Sequence, residues 1–406
     1  MKPIIILSLL LVCFLNGDCA SSHNLDARLK SIVKPHVFSI AGWELGAIPQ
    51  EISQWFLGRQ EEVEDEVQVV TEYFTSIERI KTLKSEIEAA NVGSGENALA
   101  LLEDELNRLQ EQKISLADTV ERIIEKQIRD ILTELGIFNP TIEVKVSFPP
   151  VNFKLEKLPC LLVISPRDRI ESTRKITLKP SLMLKEKEDI EARVDELGVS
   201  SLVVELGGIA TYPTLVDNEA SLRSIIDITT EEWLHQYLIL KPLGFRYLLD
   251  LTGLSRNYEI ATMNETLAGM GSKEIGSMVY EKYYSEYENG ANQTPEPEFD
   301  FNREMREIRK TVDAYLTQGE IEQAEEFMEQ KRQYLASMGY YIRKLNQAYF
   351  AFHGTYADRP AFISPIGLEL KELRSQSASL KDFLNTVAAM TSRQELKDSI
   401  RLESLP

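Results

Sequence analysis

Cysteine is scarce in this chain, which has three among its 406 residues. Cys13 lies inside an apolar run near the start, so at most Cys19 and Cys160 could pair. A chain of this kind has no disulfide framework. Zinc sites built on clusters of cysteine thiolates are excluded for the same reason.

Basic residues are also in the minority. The chain has 45 Lys and Arg against 64 Asp and Glu, which gives a net charge of −19. This balance argues against nucleic-acid binding, because neutralising phosphates requires clustered Lys and Arg. It also disfavours adhesion to an anionic membrane through charge alone.

Histidine occurs four times, and several catalytic motifs are missing. Di-iron bundles need two Glu-x-x-His motifs, whereas the sequence has one, at Glu232 and His235. There is no Gly-x-Ser-x-Gly nucleophile elbow, no P-loop and no dinucleotide fingerprint. These absences disfavour di-iron, serine-hydrolase and nucleotide-dependent chemistry.

The first apolar run, Pro3–Leu15, is too short to cross a bilayer comfortably, which takes about 20 residues. It follows Met1-Lys2 and resembles a secretory signal. Residues 1–22 are therefore predicted to be a signal peptide or a short membrane anchor. Cleavage after Ala20 and lipidation of Cys19 both stay open. We expect an exported protein of the cell envelope or the exterior, with membrane association through its N-terminus.

The length of the chain predicts two or three units. We expect a helical hairpin over 23–139, an α/β core over 140–290 and a C-terminal helical region over 291–406, which together make an α+β fold. From Gln60 to Leu135 apolar residues recur with helical spacing, interrupted by Asn-Val-Gly-Ser-Gly at 91–95. The hairpin is interpreted as a structural arm or an oligomerisation coil, with a role in substrate access as the alternative.

Residues 141–216 carry short β-rich runs around one helical segment, Lys185–Leu197. The last part of this stretch, 202–216, ends shortly before the most informative motif. Gly207-Gly208 would permit a close backbone approach, and Pro213 would fit only an edge strand. Such a strand could hold a substrate backbone by strand addition, or it could be an ordinary strand ending in a turn. The predicted strands are Ile142–Phe148, Leu161–Ile164, Ile176–Leu178 and Leu202–Leu206.

The most informative motif is Thr-Thr-Glu-Glu-Trp-Leu-His at 229–235, and Glu265 lies thirty residues after its histidine. In His-Glu-x-x-His helices, two histidines at i and i+4 bind a metal and the glutamate acts as general base. Here Glu231 stands in place of the first histidine, Glu232 is the candidate base and His235 is the second ligand. Glu265, on a following helix, is the candidate third ligand.

A structural interpretation of the same residues stays open. Thr229 and Glu232 match a capping box, in which both glutamates would serve only the first turn of a helix. His235 would then be a core or cleft histidine, and Glu265 a surface residue.

Four segments carry a family resemblance: EEWLHQYL, PLG, TMNETLAGMGSKEIG and NQAYFAFHGTYA. They resemble an uncharacterised family of exported bacterial proteins with His-Glu-Trp-x-His and Asn-Glu-Thr-x-Ala motifs, within the gluzincin class of metallopeptidases. The resemblance implies a zincin-like core, metal ligands at His235 and Glu265, and a general base at Glu232. Glu231 departs from the family pattern.

This departure affects the metal. Two carboxylates and one imidazole cancel the charge of Zn²⁺, so a bound water should be less acidic than in a site with two histidines. Zn²⁺ is the favoured ion, while Mn²⁺ and Fe²⁺ become more competitive. His353, Tyr356 and Tyr258 are the candidates for stabilising an oxyanion.

The sequence thus predicts metal-dependent hydrolysis of a peptide or protein substrate. The alternative is a degenerate, non-catalytic envelope protein that acts as a binding scaffold.

Overall fold

The computed structural model describes residues 23–38, 65–93, 96–138, 149–288, 299–354 and 365–403. Over these ranges the fold is α+β, as predicted, and most of it is helical. The helices are α1 His23–Val33, α2 Glu66–Gly93, α3 Glu96–Glu134, α4 Leu184–Asp195, α5 Leu222–Leu238, α6 Pro242–Leu251, α7 Tyr258–Glu288, α8 Phe301–Thr317, α9 Ile321–Ser337, α10 Gln347–His353, α11 Ile366–Gln376, α12 Leu380–Ala388 and α13 Arg393–Glu403. The strands are β1 Phe153–Glu156, β2 Pro159–Pro166, β3 Arg174–Pro180, β4 Val199–Glu205, β5 Gly208–Ile209 and β6 Thr214–Asp217.

Helices α2 and α3 form the predicted antiparallel hairpin. Ile80 and Leu83 of α2 pack against Leu109 of α3, and the Arg79 guanidinium binds both carboxylate oxygens of Glu105. The half of the hairpin nearest the rest of the protein is buried in the main hydrophobic core. The hairpin is therefore an integral part of the fold along this half, where α3 packs against α7 and β1.

Two small sheets lie within the described residues. Strands β3, β2 and β4 form an antiparallel sheet in that order, which confirms the predicted strands in these regions. Strands β1, β6 and β5 form the second sheet, in which β1 runs parallel to β6 and β5 runs antiparallel to it. The predicted strand Ile142–Phe148 lies outside the described residues.

The edge of β1 that faces away from β6 is covered by glutamate side chains of α3. The backbone N–H of Phe153 donates to Glu125 at 2.9 Å, and that of Leu155 donates to Glu121 at 2.7 Å. Residues at i and i+4 on a helix are spaced about 6 Å apart, close to the i, i+2 spacing of a strand. Two glutamates one turn apart thus replace a neighbouring strand and fasten the hairpin to the sheet.

This contact predicts a pH-dependent stability. Burial, the largest cause, raises the pKa of Glu125 from 4.5 to about 8. The folded protein then binds more protons than the unfolded chain, so this stability is complete below pH 4.5 and is lost as the pH rises through about 8. Changing Glu125 to Gln should reduce the loss of unfolding free energy between pH 5 and 8.5 by about 1–3 kcal/mol, measured by urea denaturation.

The control for this prediction is Glu111→Gln, which alters an exposed glutamate of the same helix. It should leave the pH dependence of the wild-type protein unchanged. Parallel pH profiles for the wild type and the Glu125 variant would show that this carboxylate does not contribute.

The metal-motif helices α5 and α7 lie in the main core, between the hairpin and the C-terminal helices α11–α13. They approach closely because α7 has small residues at the contact. A Cβ on Gly271 would lie 2.9 Å from Leu234 of α5.

No helix among the described residues combines the length and the apolar content that a membrane span requires.

Within the predicted C-terminal helical region, the chain leaves the helical conformation between α9 and α10. Helix α9 ends at Ser337, and Gly339 follows with a left-handed φ of 89°, a conformation that favours glycine. The chain re-enters a helix at Gln347, where Asn346 caps α10 by accepting from the Tyr349 N–H. Helix α10 then packs on β2 and β4 through buried Ala348.

Candidate metal centre

Helix α5 carries the motif, and it begins two turns before the start at Thr229 that the capping-box interpretation implies. Ser221 is its N-cap and accepts from the Ser224 N–H. Thr229 and Thr230 are buried within the helix, and the Thr230 hydroxyl donates to the Ile226 carbonyl at 2.8 Å. The capping-box interpretation is therefore wrong, because Glu231 and Glu232 lie past the second turn.

Glu231, His235 and Glu265 converge, as the metal interpretation predicts. One ligand atom from each lies within 4.8 Å of the others. His235 Nε2 and Glu265 Oε2 are 3.6 Å apart, and both side chains are nearly buried. Two ligands bound to one tetrahedral Zn²⁺ at about 2.1 Å would be roughly 3.4 Å apart. The three residues thus form a group that could hold a metal ion.

His235 is oriented by a residue of α7. Its Nδ1 lies 2.8 Å from the amide oxygen of Asn264. A carbonyl oxygen can only accept, so Nδ1 carries the hydrogen, and Nε2 holds the lone pair when the ring is neutral. Metal-binding histidines commonly have such an outer partner, which fixes the tautomer and the ring plane.

Glu265 is also held on one side. The Tyr247 hydroxyl of α6 donates to its Oε1, and the Tyr247 ring stacks on His235 with centroids 5.9 Å apart. Its other oxygen, Oε2, is buried and has no hydrogen-bond partner among the described residues. A buried carboxylate oxygen without a partner is costly, and a cation would remove that cost. Glu265 is buried, so the surface position that the structural interpretation required is wrong.

The site has an excess of negative charge. Burial alone would lower the pKa of His235, but the carboxylates of Glu265, Glu232 and Glu231 outweigh it and raise the pKa. Burial, with a smaller contribution from Glu231 and Glu265, raises the pKa of Glu232 to about 8. Three acids and one imidazole in a partly buried site are an environment that favours a divalent cation.

Glu232, the candidate base, lies beside the triad and against β5. A Cβ added to Gly208 would come within 3.0 Å of Glu232 Oε1 and 2.4 Å of Ile228. Only glycine therefore allows the backbone of β5 to lie directly on this part of α5. The expected close approach at Gly207-Gly208 is confirmed, and it brings an edge strand to the candidate base.

The oxyanion candidates stay predictions. His353, at the end of α10, contacts the rings of Tyr349 and Phe352 and does not belong to the triad. The Tyr258 hydroxyl donates to the Gly354 carbonyl at 3.4 Å, which connects the start of α7 to the end of α10. Tyr356 lies outside the described residues.

Sequence reasoning assigned no role to Asn264 and Tyr247. Asn264 precedes Glu265 in the Asn-Glu motif, so its position next to a ligand was a usable signal. Tyr247 belongs to a different helix and follows no spacing that relates it to the motif.

Comparison with known proteins gives no match to any family model, to any curated protein or to any solved structure.

Proposed function

We propose that this protein hydrolyses peptide bonds with a divalent metal held by Glu231, His235 and Glu265. The observation that carries the proposal is the pair of donor atoms 3.6 Å apart, His235 Nε2 and Glu265 Oε2. Each belongs to a side chain whose other polar atom is held by an outer partner. This is the pattern expected of metal ligands that are oriented before the metal binds.

The bound ion would polarise the carbonyl of the substrate and make a nearby water more acidic. Glu232 is the residue that would take a proton from this water and pass it to the departing amine. Its carboxylate interacts electrostatically with all three residues of the triad without being part of it. We also propose that the protein is a gluzincin with a zincin-like core, as the resemblance of its motif segments implies.

Strand β5 would hold the substrate. It is an edge strand of its sheet, and the Asp217 N–H donates to the Gly207 carbonyl. Bonded and non-bonded pairs alternate along antiparallel strands, so the N–H and C=O of Gly208 are directed away from β6. An extended peptide could pair with these groups beside Glu232. This supports a polypeptide substrate.

The ligand set bears on which metal is used. Its two carboxylates contribute a charge of −2, so a Zn²⁺ site would be neutral. Zn²⁺ stays the favoured ion because imidazole and carboxylate both suit it, and Mn²⁺ and Fe²⁺ are its competitors.

The experiment is metal analysis of the purified protein together with hydrolysis of fluorescent casein. We expect about one equivalent of bound metal, and an activity that is lost with a chelator and restored by Zn²⁺ or Mn²⁺. A protein that takes up none of Zn²⁺, Mn²⁺ and Fe²⁺ would overturn the proposal. A protein that binds metal and cleaves nothing would favour the alternative, a non-catalytic scaffold.

A further inference from the structure

Tyr247 is placed over the metal triad by the packing of α6. This helix begins at Pro242, shortly after α5 ends. A Cβ on Gly244 would lie 2.1 Å from the Leu238 carbonyl oxygen, so glycine lets the first turn of α6 sit on the end of α5. Buried Leu243 and Leu248 anchor the helix on either side of Tyr247. The Tyr247 ring is thus held by a helix that is anchored in the main core.

From this position Tyr247 contacts two of the three candidate ligands. Its ring lies over His235 at an interplanar angle of 30°. Its hydroxyl donates to Glu265 Oε1, while Glu265 Oε2 stays unpartnered on the side of His235 Nε2. One side chain therefore limits both the tilt of the imidazole and the rotation of the carboxylate.

We infer that Tyr247 is a positioning residue that makes Glu265 bind the metal through one oxygen only. The inference rests on the proposed function. A free carboxylate can bind a cation through one or both oxygens, and a hydrogen bond to one of them favours single-oxygen binding.

Glu265 needs to be restricted to one oxygen because the site has a second carboxylate, Glu231, where the motif has a histidine. If Glu231 and Glu265 each bound the metal through both oxygens, they and His235 would supply five ligand atoms. A catalytic site needs a vacant position for water and substrate, which three single-atom ligands leave. By holding Oε1, Tyr247 would keep that position open in a site where Glu231 is a second carboxylate that could bind through two oxygens.

The test is Tyr247→Phe, which removes the hydroxyl and retains the ring. Affinity for Zn²⁺ and Mn²⁺ is measured by titration calorimetry, and Co²⁺ is used as a spectroscopic probe. We expect 10- to 100-fold weaker metal binding, the usual effect of losing an outer partner of a ligand. The visible absorption per bound Co²⁺ should also fall, because absorption weakens as coordination number rises.

Tyr283→Phe is the matched control. This tyrosine of α7 directs its hydroxyl to Asp130 at 3.3 Å, far along the helix from Glu265. It should change neither the affinity nor the spectrum. Melting of the metal-free proteins shows whether each variant is folded, and a metal-free Tyr247→Phe protein that melts like the wild type assigns any loss of affinity to the site.

The outcomes separate this inference from the proposed function. If the wild type binds metal and Tyr247→Phe binds it equally well with the same Co²⁺ spectrum, the inference is wrong and the proposed function stands. If the wild type binds no metal, both are wrong.

Discussion

Replacing Glu232 by Gln is expected to lower kcat for peptide hydrolysis by about 10²–10⁴-fold, the usual contribution of a general base. Gln has the same shape as Glu and cannot accept the proton of the attacking water. Because Glu232 lies outside the metal triad, the variant should keep its bound metal. Initial rates on fluorescent casein, with metal content measured on the same sample, check both expectations.

The control is Glu281→Gln, an exposed glutamate on α7. It should leave the rate and the metal content unchanged. If Glu232→Gln retains full activity and full metal occupancy, the assignment of Glu232 as base is incorrect. If it loses its metal as well, Glu232 acts as a ligand rather than as a base.

The convergence of the two metal-motif helices could be predicted from sequence because it depends on local spacing. Residues four apart share a helix face, so Glu231 and His235 had to point the same way. The close approach of the two helices depends on small residues of α7, such as Gly271, whose added Cβ would lie 2.9 Å from Leu234. Both inferences need only helical geometry and side-chain size.

The start of α5 could not be predicted in the same way. Residues 225–230 are rich in β-branched side chains, which have low intrinsic helix propensity. In the fold, Ile225 and Ile226 are completely buried in the main core. Burial of this apolar face outweighs the propensity and extends the helix back to Ser221, and the apparent capping box at Thr229 becomes an interior turn.

The hydrogen-bond partners of the polar and charged side chains were the feature of the structure that the sequence predicted least. Glu121 and Glu125 had the spacing of a polar helix face, yet they accept backbone N–H groups from β1. Tyr247 likewise reaches Glu265 from a separate helix. Such contacts depend on how elements that are distant in sequence pack together, and no periodicity of the sequence predicts them.

Replacing His235 by Ala is expected to abolish stoichiometric metal binding. The variant loses the one neutral nitrogen donor of the triad and leaves Glu231 and Glu265 to repel each other near the same point. A metal at 100 times its dissociation constant stabilises a folded protein by about 2.7 kcal/mol. The wild type should show this gain in unfolding free energy when Zn²⁺ is added, whereas His235→Ala should show almost none.

His36→Ala is the matched control, because His36 lies in the turn after α1 and does not belong to the triad. It should retain the stabilisation by Zn²⁺. An equal gain in the His235 variant would mean that the ion binds elsewhere in the chain. The carboxylates around His235 would then be an acidic cleft with no metal role, and the hydrolytic proposal would lose its basis, because no other residue of this site supplies a nitrogen ligand to complete a catalytic zinc centre.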